Sequence, residues 1–135
     1  MSPVIFEVVT PERKILKEEV ESVIAPGAEG YLGILPRHTP LLTTLKPGVI
    51  QYCMAGGKTE RLAVSGGFME AGPNRAIILA DTAELASEID IERARQARER
   101  AEKRLRERPP GLDVARAEAA LMRSLARLKA TGNEK

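Results

Sequence analysis

The sequence predicts a β + α chain: a β-sandwich or small barrel over residues 1–86, then an antiparallel two-helix hairpin over residues 87–135. Three observations carry this. Nine of the eleven glycines, seven of the nine prolines and all four aromatics precede Ser87. Short apolar stretches there recur about every 8–12 residues between Gly/Pro turns, the rhythm of a sandwich or barrel rather than of crossover units. Residues 90–108 then contain neither Gly nor Pro and are dominated by Ala, Arg, Glu and other strong helix formers. Charge shifts at the same place. Residues 1–86 carry eight Lys/Arg and ten Asp/Glu, net −2; residues 87–135 carry thirteen and nine, net +4.

In chain order, strands are predicted at Val4 to Val9, Val20 to Ala25, Val49 to Met54, Arg61 to Val64 and Ala76 to Ala80. Thr10-Pro11, Pro26-Gly27, Lys46-Pro47-Gly48, Gly56-Gly57 and Gly72-Pro73-Asn74 punctuate them. Val49–Met54 and Thr59–Val64, joined by the four residues 55–58, read as a hairpin. The stretch Gly30 to Leu42 has apolar anchors at Ile34, Leu35 and Leu41-Leu42, and two prolines that remove donors. It reads either as a bent edge segment or as a stiff surface that docks a partner.

Asp90 is placed to cap the first helix, with Glu92 in its first turn, and Pro109-Pro110-Gly111 stops it. Asp113 caps a second helix to about Ala130, with Gly132 as its stop. Val114, Ala117, Leu121, Leu125 and Leu128 form an apolar stripe on the second helix. The first offers Ile91, Ala94, Ala97 or Arg98, Ala101 and Leu105. Because that stripe is mostly Ala, and a buried methylene contributes only ~0.8 kcal/mol, the hairpin is marginal alone. It reads as a permanent coiled-coil hairpin or as a switch.

Composition excludes several classes. Hydrophobic residues are 43% and charged residues 30%, as in a globular protein, while aromatics are 3% and Trp is absent, against a stacking nucleic-acid reader. One Cys (Cys53) and one His (His38) leave no internal disulfide and no zinc site. The start lacks a signal-peptide pattern, and no apolar run approaches the ~18 residues of a membrane span, so a soluble, reducing compartment is expected. Gly56-Gly57-Lys58-Thr59 lacks the first glycine of a phosphate loop, and Ser65-Gly66-Gly67 lacks a nucleophile elbow's flanking pattern. No catalytic constellation remains. Arg93 and Arg100 share one face of the first helix, and Arg123 and Arg127 one face of the second. They form either a solvated basic surface or, if the hairpin closes, an anion site of bidentate guanidiniums.

Four ordered blocks carry a family resemblance: Val8-Val9-Thr10-Pro11, Gly30 through Leu41, Ser65-Gly66-Gly67-Phe68-Met69-Glu70, and Ile89-Asp90-Ile91-Glu92-Arg93-Ala94. Together they resemble the epsilon subunit of bacterial F-type ATP synthases, most of all its thermophilic Bacillus-type branch. The resemblance implies a ten-stranded β-sandwich that meets the gamma subunit and the c-ring, and a non-catalytic subunit of a proton-translocating complex. It also implies a helical domain that, when extended toward the alpha/beta catalytic head, blocks ATP hydrolysis.

It implies ATP as a regulatory ligand of the folded hairpin, with no covalently bound cofactor, no metal site in the protein, and Mg²⁺ left open. The Ile/Leu-Asp-x-x-Arg-Ala motif stands here as Ile89, Asp90, Arg93 and Ala94, and the family's further contacts fall on Glu84, Arg100, Arg123 and Arg127. Asp90 and Glu84 would serve the adenosine end and the arginines the phosphates. Glu29, Tyr31, Arg37, His38 and Thr39 fall in the segment facing gamma and the c-ring. Tyr31 stands where many members have Glu, and Arg37 where many have Gly or Lys. The implied place is the cytoplasmic face of the bacterial cell membrane, peripheral, with membrane contact only through the complex. A reading from another class is a free-standing adaptor whose basic hairpin binds nucleic acid or another anionic partner; the resemblance implies no nucleic acid.

Overall fold

A computed structural model describes residues 3–133. Its strands are β1 (Val4–Val9), β2 (Lys14–Gly27), β3 (Gly30–Ile34), β4 (Leu41–Leu45), β5 (Gly48–Met54), β6 (Thr59–Val64), β7 (Gly67–Ala71), β8 (Arg75–Ala80) and β9 (Ala83–Leu85). A short 3-10 turn (Ala86–Glu88) leads into helices α1 (Ile91–Glu107) and α2 (Val114–Ala130).

Strand β2 organises the sandwich. Its first half runs antiparallel to β1, from Val4↔Val20 to Val9↔Lys14. β1 continues parallel to β8, and β7 and β4 follow antiparallel. The second half of β2 pairs with β3 and β5, and β5 passes through β6 to β9. Its last residue, Gly27, meets Leu45 of β4, which brings the first ladder back to β2. A register shift between Val20 and Ser22 leaves Glu21 as a bulge opposite β5, and a bulge bends its strand. Nine strands are therefore seen among the described residues, against the ten expected. The single 14-residue β2, bent at Glu21 instead of broken by a turn, serves both ladders.

The interior follows the two-residue period of the strands. Val4, Phe6 and Val8 of β1 point inward, and they join Val20, Val23, Ile34, Ile50, Leu62, Met69 and Ile78 in one core. The Phe6 and Tyr52 rings meet there with centroids 5.0 Å apart. Burial, with smaller contributions from Glu60 and Glu18, pushes the Tyr52 hydroxyl up to about 12. An unfolded chain releases that proton near pH 10, so between about pH 10 and 12 the folded state holds one proton more. Stability is expected to fall as pH rises through this window, by about 2–3 kcal/mol, and Tyr52→Phe should flatten the fall. Urea unfolding at about pH 9 and about pH 12 checks this; equal slopes in both proteins would refute it.

The helices begin and end where the local chemistry dictates. Asp90 Oδ1 accepts from the Arg93 amide at 3.1 Å, and Asp113 Oδ1 from the Arg116 amide at 3.0 Å. α1 ends at Arg108, in the left-handed region at φ 46°, before Pro109. α2 lies against β5 and β6, and α1 against α2. The contact with the sandwich is small: Val49, Ala63, Ile89, Ala126 and Ala130, with Ala86 beside them. Leu125, expected on the buried stripe, is 40% exposed. With two neighbours, α2 buries two narrow stripes, mostly of small residues. Ala126 and Ala130 face the sandwich, while Ala117, Ser124 and Leu128 face α1.

Candidate functional site

The seam between β9 and α2 gathers the polar chemistry. β9 is too short to carry α2 over its whole length, but its register against β6 (Ala63↔Glu84) turns Glu84 outward at the helix. Arg127 Nε donates to Glu84 Oε1 at 2.5 Å. Arg123, one turn earlier, lines the same cleft with Ser65 and Thr82. Ser65 Oγ accepts from the Thr82 amide at 3.0 Å and from the Thr82 hydroxyl at 2.7 Å. The cavity has a volume of only about 10 Å³, room for one water. Two guanidiniums with two hydroxyls are groups suited to an anion, and here the Glu84 carboxylate engages one of them, Arg127.

The other expected nucleotide residues are distributed around this cleft. Ile89 is buried against Ala126 and Ala130, and Ala94 is buried on α1. Asp90 is exposed and its carboxylate caps α1. Arg93 and Arg100 are exposed on α1, outside the cleft lining. The structure thus joins Glu84, Arg123 and Arg127 and leaves the two α1 arginines apart from them. Ser65 and Thr82, not singled out from the sequence, line the same cleft; the Ser65-Gly66-Gly67 block pointed to the first, and nothing in the sequence to the second.

The expected partner-facing residues divide as well. Glu29 is exposed in the turn between β2 and β3. Arg37 has φ 67°, a left-handed position that glycine fills without strain, and its amide donates to Pro73 O at 2.7 Å. The His38 amide donates to Leu35 O at 3.2 Å, its Nδ1 lies 2.6 Å from Thr39 O, and Thr39 is exposed. Tyr31 leaves this group and turns toward α2, with Lys129 Nζ 5.2 Å from its ring centre.

A separate apolar surface lies on β4, β7 and β8. Leu42 is 70% exposed, Phe68 51% and Leu79 54%. Thr44 pairs with Phe68, and Phe68 with Leu79, so these side chains share one outer face. Among the described residues no group of His, Cys, Asp and Glu is placed to hold a metal, and no helix is long and apolar enough to cross a membrane.

A sandwich with an exposed apolar face and a two-helix hairpin packed on its flank has the form of an assembly subunit. Comparison places that form in a family. Residues 4–86 match the model of the ATP synthase delta/epsilon chain β-sandwich domain, and residues 87–132 that of its long α-helix domain. The ATP synthase epsilon chain of Moorella thermoacetica is 64% identical over 132 residues, 98% of each chain. That of Desulfitobacterium hafniense is 53% identical, covering 95% of this chain and 96% of its own. Among solved structures, a chain of the Euglena gracilis mitochondrial ATP synthase (OSCP/F1/c-ring) superposes with TM-score 0.83 at 26% identity, covering 96% of this chain and 81% of that one. A Tetrahymena thermophila mitochondrial ATP synthase central stalk/c-ring structure matches with TM-score 0.59 at 17% identity and shares the fold.

The chain belongs to the ATP synthase delta/epsilon family, as a bacterial epsilon chain. It is a regulatory and stalk subunit of ATP synthase rather than a catalytic one.

Proposed function

We propose that the sandwich seats this subunit on the gamma subunit and the c-ring, and that the hairpin is an ATP-sensing brake on hydrolysis by the alpha/beta head. The observation that carries the sensing reading is the position of the cleft. Glu84 and Ser65 belong to the sandwich and Arg123 and Arg127 to α2, so an anion bound there would fasten one to the other. Beneath it, the contact rests on a few alanines, Val49 and Ile89, worth on the order of a few kcal/mol. A ligand present at a hundred times its Kd adds about 2.7 kcal/mol, enough to govern such an equilibrium. Plentiful ATP would keep the hairpin down, and scarce ATP would free it to extend and inhibit. The complex would hold the chain at the cytoplasmic face of the membrane.

The test adds the purified chain to a catalytic head that lacks it and follows ATP hydrolysis at low and high ATP. Inhibition that deepens at low ATP is expected; no inhibition at any level overturns the proposal. The apolar face on β4, β7 and β8 supports gamma as its occupant. Leu42→Asp with Phe68→Asp is expected to weaken gamma binding about a hundredfold by calorimetry, because buried apolar anchors dominate interfaces. Both side chains are solvent-facing, so the variant should fold. Unchanged affinity would remove this face from the interface.

A further inference from the structure

Tyr31 stands on β3, the strand that leads into the Leu35–Thr39 turn, yet its side chain reaches across Gly48 to α2. The Val49 amide donates to Tyr31 Oη at 3.4 Å, and Lys129 Nζ lies over the ring at 5.2 Å. A Cβ on Gly48 would stand 2.9 Å from Tyr31 Oη and 3.0 Å from Pro26 Cβ, so the missing side chain gives the ring room to cross here. Two surface clefts of about 300 and 290 Å³ open beside the pair, and Tyr31 and Lys129 line both.

The helix geometry gives the arrangement its meaning. At about 100° per residue, Arg127 and Lys129 project from nearly opposite flanks of α2, with Ala126 and Ala130 turned to the sheet between them. Arg127 grips β9 through Glu84, and Lys129 grips β3 through Tyr31. We propose that Tyr31 and Lys129 form a latch that holds the last turns of α2 on the sandwich, on the flank opposite the Glu84–Arg127 pair and without a nucleotide. The cation–π contact keeps the lysine in water while covering the aromatic face, and it needs the ring rather than the hydroxyl. Its strength would set how often α2 leaves the sandwich, whatever ligand the opposite seam takes.

Hydrogen exchange on the full chain tests this. Tyr31→Ala is expected to speed exchange of the amides from Ser124 to Ala130 about fivefold, with β1 and β8 unchanged. Lys129→Gln should give about threefold alone and nothing further in the Tyr31→Ala background. Tyr31→Phe keeps the ring and should stay within about twofold of the parent. Unchanged α2 exchange in Tyr31→Ala, additive effects of the two substitutions, or an equal rise in β1 and β8 would each overturn the latch. None of these readouts involves ATP or gamma, so they stand apart from the sensing and docking proposals.

Discussion

Gly67→Ala is expected to cost about 3 kcal/mol or more of folding stability. Gly67 opens β7 at φ +137°, which side-chain-bearing residues rarely adopt. An added Cβ would stand 2.1 Å from the Leu79 carbonyl oxygen and 2.8 Å from the Ala80 Cα. Both are backbone atoms of β8, paired to β7 through Gly67↔Ala80, so neither can turn aside as a side chain would. Relief requires parting the β7–β8 ladder, and with it the inward positions Met69 and Ile78. Gly33→Ala is the matched control: it lies in β3 without positive φ and with nothing within 4 Å of the new carbon. Urea unfolding should show a large loss for the first and a change within about 0.5 kcal/mol for the second. A Gly67→Ala protein as stable as the control would refute the clash.

The elements that were legible in the sequence are those whose causes are local. Asp90, Asp113 and Pro109-Pro110 set the ends of α1 and α2 within a residue or two, because caps and helix breakers act on the nearest turn. The β5–β6 hairpin followed from its four-residue loop and flanking apolar runs. The full length of β2 was hidden because Lys17, Glu18 and Glu19 are exposed, and Ile15 and Leu16, adjacent in sequence, give no two-residue alternation. Its membership of both ladders depends on partners far away in sequence. β7 is not among the strands predicted from the sequence, although its Met69 and Ala71 point in while Phe68 and Glu70 point out. That alternation identifies Phe68 as outward, but only the register with β4 and β8 assembles it with Leu79 into a surface. The arginines show the same limit. Spacing puts Arg93 and Arg100 on one face of α1 and Arg123 and Arg127 on one face of α2. Which faces meet is decided by helix packing, and in this state only the α2 pair lines the cleft with Glu84.

Arg123→Ala with Arg127→Ala is expected to reduce ATP affinity about a hundredfold while the sandwich stays folded. Hydrogen bonds from ionised donors contribute about 1.5–3 kcal/mol each where solvent is displaced, and the half-exposed setting takes the pair toward the lower end of that sum. A calorimetric titration of each protein with ATP and with ADP measures it. If these arginines pair the phosphates, as the proposed function requires, the parent should prefer the triphosphate and the variant should lose that preference together with affinity. The closed cleft adds a second expectation. At about 10 Å³ it admits no nucleotide, so ATP bound there would have to part Arg127 from Glu84 and widen the seam. The measured affinity is then the intrinsic one reduced by the fraction of molecules already open. An amide exchange map of the parent should accordingly show the seam residues of β9 and α2 responding to ATP, and not only the outer face of α1. Affinity within about threefold of the parent in the double variant would separate these arginines from nucleotide binding. The Glu84–Arg127 pair would then be a purely structural tie between hairpin and sandwich.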